Sequence, residues 1–518
     1  MKFFKKSFFF VFCIFVTFYA FSENSDSAEL RLNTKSSALT VENINLPEAQ
    51  NIESKNNDAQ NTESQSGNEQ LNFYESETMS KSPTFANGLI ATAETLASNV
   101  ILASFNRFVL QKDFAKITWD SVYDNLSHQW VWDQDTFVVN QLGHPYQGSF
   151  YFAAGRANNF NFYESIPFNL IGSVTWEYLA ELDRQAFNDL ICTTFGGAAL
   201  GEVFHRLYIE ASSQKSIVAF LLSPMDALHS LITGDVCFRD TKQGVTSLEN
   251  FVSFGGVFER TTSTHKNYDF NDDIIGNLTG GFNLVYGNPF NSEKTIPFSY
   301  FIFDLNAGGT LNYYQVRANI EGNLVRFGTK YFGNSDSSQS SFSAALGMTF
   351  KVDWTKITSY SVNGLGIILS AKNDLPGGFS LSQRLNLSGT FFATGDCYAL
   401  YRDYVKLPND GEERRLYDYG TGYYARYNFC ASQKYFGKFV FDVLTLGLFD
   451  IETAVPSYGQ KGATFITEAA VSYEHLVRKN ISLGLKGECY FKYENNYGAE
   501  NINERIYALN IYSSRKIR

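Results

Sequence analysis

The sequence predicts an α+β chain, with an N-terminal helical domain followed by an antiparallel transmembrane β-barrel of about 12 strands. Three observations predict it. The chain starts basic, then apolar, then small. Apolar residues recur at helical spacing between residues 85 and 238. From about residue 245 the period changes to two and stays there.

The start reads as an export signal. Lys2, Lys5 and Lys6 precede the Phe-rich apolar run Ser7 to Ala20, and Ala20-Phe21-Ser22 supplies a small-x-small cleavage site. This order predicts a signal peptide over residues 1–22, its apolar part too short to span a bilayer. No cysteine follows the site, so no lipid anchor is expected. Residues 23–84 are rich in Asn, Ser, Glu and Gln, and Asn51 to Gln70 has almost no large apolar residue. Such a segment cannot offset its ordering entropy and reads as a disordered polar linker. Beyond Ser22 no further membrane-crossing helix is expected. The longest uncharged window, Thr136 to Gly155, carries Asn140, Gln141, His144, Pro145 and Gln147.

Composition narrows the class. Aromatics make up 16% of residues, with 48 Phe and 31 Tyr, while charged residues reach 18% and Pro numbers 10. Aromatic girdles and few charges are what a lipid-facing sheet requires. The net charge of −11 argues against nucleic acid as a partner. Cys192, Cys237, Cys397, Cys430 and Cys489 are widely spaced without a C-x-x-C pair, which indicates neither a zinc site nor a disulfide framework.

The helical domain is expected over residues 85–238. Leu89, Ala93, Leu96, Val100 and Phe108 mark a helix over Ala86 to Phe108. Further segments are expected at Asp135 to Arg156, Ser165 to Glu181 and Asn188 to Tyr208, with Pro145 starting or kinking a helix and Gly234-Asp235 marking the exit. Residues 239–518 are expected to form the barrel. Tyr417, Tyr419, Tyr423, Tyr427 and Phe429 alternate with Asp418, Gly420, Gly422, Arg426 and Asn428. Ile481, Leu483, Leu485, Phe491 and Tyr493 alternate with Ser482, Gly484, Lys486, Lys492 and Glu494 in the same way. That pattern suits lipid outside and water inside. Pro376-Gly377-Gly378 and Arg478-Lys479-Asn480 read as tight turns, and Asn334 to Ser340 and Lys406 to Arg415 as extracellular loops. A barrel of about 12 strands has a backbone diameter of roughly 24 Å, room for about one helix. The helical domain is therefore expected at the periplasmic mouth, with at most one element in the lumen.

Polar residues at helical spacing make the candidate site. Asn140 and His144 stand four apart, as do Ser173, Glu177 and Glu181, and Asp189, Thr193, Gly197 and Gly201. The Gly197/Gly201 step, with Gly196 beside it, lets another helix approach closely. Asn140, His144, Glu177 and Asp189 could then converge, with Arg156 as counter-ion for a buried carboxylate. The catalytic candidates are His144, Glu177 and Asp189, with His144 as general base oriented by Glu177. The ligand-binding candidates are Asn140, Arg156, Ser173 and Glu181. No second good His or Asp ligand lies at short range in the chain, so no metal and no cofactor is expected. Ser149 and Ser173 lack a G-x-S-x-G setting. The leading expectation is a satisfied buried network that fixes helix packing, with a catalytic or ligand site as the alternative.

The stretch from about Trp132 to Tyr208 resembles domain of unknown function 3943, a bacterial envelope family. The resemblance is carried by Trp132, Asp133, Asp135, Phe137, Asn140, His144-Pro145-Tyr146, Gly148, Tyr151, Arg156, Gly172-Ser173, Trp176-Glu177, Glu181, Asn188-Asp189, Gly196-Gly197 and Gly201-Glu202. It implies an envelope location and no particular activity. These readings together give three functional expectations. The first is an outer-membrane barrel capped or gated by its helical domain, in transport or envelope organisation. The second is an outer-membrane enzyme acting on lipid or lipopolysaccharide. The third is a surface or cell-wall interaction protein. The expected partners are outer-membrane lipid and the barrel-assembly machinery during insertion; the oligomeric state is left open.

Overall fold

The computed structural model describes residues 82–518 except 213–216, 238–243, 264–273, 292–295, 312, 336–337, 397–414, 416, 457–458, 460 and 498–500. The expected signal peptide and nearly all of the expected linker lie outside the described residues.

Eight helices precede the barrel among the described residues. Helix α1 (Phe85–Ser104) starts at a capping box between Thr84 and Asn87 and runs on as a π turn, Phe105–Val109. Helix α2 (Trp119–Ser127) is capped by Thr118 and Ser121. A second π turn, Val139–Gly143, leads into α3 (His144–Ala157), with Pro145 in the first turn, where its missing N–H has no helical partner to lose. Then come α4 (Phe162–Leu179), α5 (Phe187–Ile191), a third π turn at Cys192–Gly196, and α6 (Gly197–Ser212). Helices α7 (Ile217–Leu222) and α8 (Pro224–Thr233) follow, and Gly234 closes α8 with a φ of +78°. The four expected segments and the exit at Gly234 are present. Periodicity passed over α2, α7 and α8, which are too short to show it.

Helix α3 is the centre of this bundle and packs against α1, α4, α6 and α8. Its contact with α6 is made by glycines. A Cβ on Gly197 would stand 2.6 Å from Gly148 Cα, and one on Gly201 would stand 2.7 Å from Phe152 Cβ. A Cβ on Gly148 would fall inside the carbonyl oxygen of Thr193. The expected Gly197/Gly201 step does bring two helices together.

The barrel is a closed ring of twelve antiparallel strands. They are β1 (Val245–Ser263), β2 (Ile275–Tyr286), β3 (Phe301–Gly309), β4 (Tyr314–Ser335), β5 (Ser338–Thr355) and β6 (Ser359–Leu375). The ring continues with β7 (Phe379–Asp396), β8 (Tyr417–Gln433), β9 (Gly437–Asp450), β10 (Gly462–Arg478), β11 (Ile481–Asn496) and β12 (Ile502–Lys516). Each strand pairs with its sequence neighbours, and β1 closes on β12 from Glu249↔Lys516 to Ser263↔Ile502. One rim carries both ends of the barrel and the tight turns at 376–378, 434–436 and 479–480; the other carries the long 397–416 connection. We call these the terminal rim and the loop rim. The expected loop at Asn334 to Ser340 is instead the β4–β5 hairpin at the terminal rim, because both strands run into the polar stretch. Of the expected loop Lys406 to Arg415, all but Arg415 lies outside the described residues.

Alternation sets two faces, as expected. Ile302, Asp304 and Asn306 of β3 line the lumen, and Phe301, Phe303 and Leu305 point outward. Outward residues elsewhere, such as Phe254, Leu483, Leu485, Leu509 and Ile511, are exposed.

Where the helices sit differs from the sequence expectation. They lie against the outer wall, not at a mouth or in the lumen. Phe204 of α6 meets Phe303 at 6.4 Å between ring centroids, Phe162 meets Phe298 at 5.3 Å and Phe195 meets Phe391 at 4.7 Å. The covered strip runs from Leu248 and Tyr286 near the terminal rim, across Ile320, Phe350 and Val352, to Tyr417 and Tyr419 at the loop rim. The wall offers apolar side chains for packing, whereas the lumen cavity is lined by charged pairs. A second correction concerns α1. With its π turn, Phe85–Val109 is long and apolar enough to cross a membrane. A search for uncharged windows misses it because Glu94 interrupts the run. That carboxylate turns inward to His229 Nδ1 at 2.8 Å, while Val100, Ile101 and Phe108 stay exposed.

The glycine contact is testable. Gly148→Ala should loosen the helical domain by about 1–3 kcal/mol, since overpacking forces backbone apart. Gly487→Ala, where a Cβ meets nothing within 4 Å, should be neutral. Limited proteolysis between Leu89 and Gly234 reads the difference, and equal behaviour of the two variants would refute the contact.

Candidate functional site

The candidate residues gather where helix ends meet the loop rim. His144 opens α3, Glu177 lies in the last turn of α4, and Asp189 lies in the short α5. One ligand atom from each of the three lies within 4.8 Å of the other two, and all three residues are buried. His144 Nε2 stands 3.2 Å from Asp189 Oδ1, and its Nδ1 is 3.3 Å from Thr193 Oγ1. Glu177 Oε2 accepts the Ala186 amide at 2.7 Å. The other Glu177 oxygen is met by no N–H or hydroxyl donor, its neighbour being the acid Glu181.

Asp133 links this group to the barrel. Its Oδ1 accepts Asn140 Nδ2 and Asn188 Nδ2, each at 2.8 Å, and the Tyr419 hydroxyl at 3.1 Å. Asn188 Nδ2 also donates to Asp189 Oδ1 at 2.7 Å. Asn140 Nδ2 lies 2.8 and 2.9 Å from the hydroxyls of Tyr417 and Tyr419. Two π turns flank the site, one ending at Gly143 just before His144 and one beginning at Cys192 just after Asp189's helix. A π turn re-aims the residues after it and is common at functional sites.

Sequence spacing therefore placed Asn140, His144, Glu177 and Asp189 together correctly. Glu181 adjoins them, its Oε2 accepting Trp176 Nε1 at 3.0 Å. Ser173 is buried one helical turn before Glu177, with no partner for its hydroxyl. Arg156 is elsewhere. Its Nε pairs with Glu202 Oε2 at 2.9 Å, and Arg206 Nε takes Glu202 Oε1 at 2.7 Å, forming a separate buried triad. Helical spacing gave Arg156 a face but not a neighbour. Asp133, Asn188, Thr193, Tyr417 and Tyr419 were not singled out as site residues. Asp133 and Asn188-Asp189 were visible in the family motif, whereas the tyrosines read only as wall residues.

The electrostatics are one-sided. No described Lys or Arg pairs with the carboxylates of Asp133, Glu177, Glu181 or Asp189. In the connection after α4, burial first, and then Glu177, Asp135 and Asp183, push the Glu181 carboxyl well above its usual range. Asp183 is raised as well, by burial and then by Asp133. Chemically the cluster offers one imidazole and two carboxylates, a set that can move a proton or hold a divalent ion.

The barrel lumen is the second concave feature. A cavity of about 670 Å³ opens toward the terminal rim, lined by ion pairs such as Arg317 with Asp353 and Arg426 with Asp442. Toward the loop rim it meets a packed layer of Tyr360, Val362, Tyr424, Leu444, Leu446, Ile466 and Tyr490, joined through Ile506 to Val257, Tyr313 and Ile357.

Fold and site define a closed twelve-stranded β-barrel with a wall-mounted helical domain. Residues 129–225 match the family described as domain of unknown function (DUF3943), as the sequence motif implied. A search of curated proteins finds no match. Among solved structures, the chain is similar to a Pseudomonas aeruginosa FadL homologue at 7% identity, covering 54% of this chain and 91% of that one with a TM-score of 0.22. It is similar to the NanC porin at 10% identity, 50% and 98% coverage and a TM-score of 0.22. The Pseudomonas putida toluene transporter TodX follows at 8% identity, 52% and 89% coverage and a TM-score of 0.20. At such scores these likenesses carry no argument about activity.

Two outcomes are expected. Glu202→Ala strands two buried guanidinium groups and should cost about 3–5 kcal/mol, read as rapid proteolysis of the helical domain with the barrel still heat-modifiable. The raised carboxyls set a pH dependence. The folded chain keeps protons that the unfolded chain has released, so stability falls as pH rises from the usual carboxyl range through the raised values. In chelator-treated protein the helical domain should resist proteolysis better at about pH 5 than at about pH 8; the reverse order would show the cluster carrying its charge at no cost.

Proposed function

We propose that the chain is an outer-membrane barrel protein whose helical domain is held in the bilayer against the barrel's outer wall, serving transport or envelope organisation from there. One observation carries this reading: the exposed apolar surface is shared between barrel and helices. Outward Leu483, Leu485, Leu509 and Ile511 on the strands are matched by Leu89, Val100, Ile101, Phe108, Leu231 and Ile232 on the helices. A patch of that extent is stable beside acyl chains and a liability in water. At 1.5 Å per residue, Phe85–Val109 reaches about 37 Å, enough for a hydrocarbon core of about 30 Å. The basic and apolar start of the chain supports export, with lipid and the barrel-assembly machinery as partners.

Transport in this reading uses the lumen well, whose packed layer has to move before solute can pass. The alternative, an enzyme acting on lipid or lipopolysaccharide, is favoured by one observation. His144, Glu177 and Asp189 meet on the outer side of the wall beside Tyr417 and Tyr419, the level at which lipid headgroups meet a barrel.

The placement is tested with a fluorophore at Val100→Cys in an otherwise cysteine-free chain, reconstituted in vesicles. Quenching by nitroxide-labelled acyl chains and protection from aqueous iodide is the expected result. Quenching by iodide alone would put the helices in water and overturn the reading, as would recovery of the protein in the soluble periplasmic fraction.

A further inference from the structure

We infer that His144, Glu177 and Asp189 form a binding site for a divalent transition-metal ion. The donors come from three helices, yet one atom of each lies within 4.8 Å of the other two. Donors bound to one ion at about 2.0–2.2 Å stand roughly 3–3.5 Å apart in a tetrahedral site. The 3.2 Å between His144 Nε2 and Asp189 Oδ1 already meets that spacing, and a Glu177 oxygen stands within 4.8 Å of the donor atoms of both.

Three further observations point to an ion rather than to a self-satisfied network. Glu177 is wholly buried and one of its oxygens is met by no N–H or hydroxyl donor, only by the neighbouring acid Glu181, in a cluster where it lies within reach of an imidazole and a second carboxylate. A buried carboxylate oxygen left bare is costly unless something positive meets it. Among the described residues no Lys or Arg is paired to the cluster's carboxylates to supply that charge, whereas Glu202, elsewhere in the bundle, has two arginines. Finally, the ligand side chains are held from behind, as metal ligands are. Thr193 Oγ1 meets His144 Nδ1, Asn188 Nδ2 donates to Asp189, and the Ala186 amide donates to Glu177.

One nitrogen and carboxylate oxygens suit zinc, manganese or ferrous ion rather than copper(I) or calcium. Three protein ligands leave a coordination position open, and the buried, partnerless Ser173 hydroxyl lies one turn from Glu177. The inference rests on the convergence of the helices and not on their placement in lipid, so either can fail without the other.

The test uses the full chain folded in detergent, stripped with chelator and reconstituted separately with zinc, manganese, anaerobic ferrous ion and cobalt(II). One equivalent of at least one of the first three should survive gel filtration, measured by elemental analysis. Cobalt(II) should give ligand-field absorption bands in the visible. His144→Gln, Glu177→Gln and Asp189→Asn should each lose the bound ion, and Thr193→Val should weaken it about 10–100-fold. Wild-type protein that holds no stoichiometric ion and gives no cobalt bands refutes the site, whether or not the variants fold. So does retention of the ion by folded Glu177→Gln and Asp189→Asn variants.

Discussion

Phe204 of α6 against Phe303 of β3 belongs to the contact on which the rest of the molecule depends, the seating of the helical domain on outward barrel residues. With the molecule in lipid as proposed, apolar area alone gives no net drive toward such a contact, since acyl chains are as apolar as Phe or Leu. Close packing and polar bonds across the seam have to supply it. The polar bonds are present: Ser361 donates to Gln141 Oε1 at 2.7 Å, and Arg206 reaches the Pro297 carbonyl at 2.8 Å. Asn140 meets Tyr417 and Tyr419 at the loop rim. The seam is thus pinned at both ends and filled with aromatic rings between.

Buried charge is handled in two ways. In the Arg156–Glu202–Arg206 triad and in the lumen, acids and bases answer each other, as with Lys492 among Asp396, Glu494 and Glu504. Such pairs set a cation beside each buried acid and hold geometry. Around His144 the acids outnumber any described cation, and one Glu177 oxygen meets no N–H or hydroxyl donor. Beside those cation-matched acids, the surplus of acid around His144 is a functional signal.

Much of the site was legible because an α-helix turns sequence spacing into shared faces. Ser173 and Glu177 do share one, although α4 ends at Leu179 before Glu181, and the glycines of α6 do mark a close approach. Arg156 was misplaced because a face says which way a residue points and not which helix it meets; it points to Glu202. Spacing is equally silent on distances between helices. His144 and Asp189 are far apart in sequence and become neighbours only when Gly148 lets α3 press onto the chain at Thr193. The π turns before His144 and after Ile191 carry no periodic signature that a linear reading could detect.

The sequence by itself determined the class of each half. Strict alternation over long segments forces a sheet with one polar and one apolar face, and twelve such strands close because an open edge would leave backbone groups unpaired. Only the tertiary structure decided where the halves meet. Outward Phe303 and outward Leu485 follow the same alternation rule, yet one is covered by α6 and the other is exposed. A period-two pattern records that a side chain leaves the lumen and is silent on whether a helix then covers it. The same holds for α1, whose Glu94 looks forbidding in sequence until His229, over a hundred residues later, takes it inside the bundle.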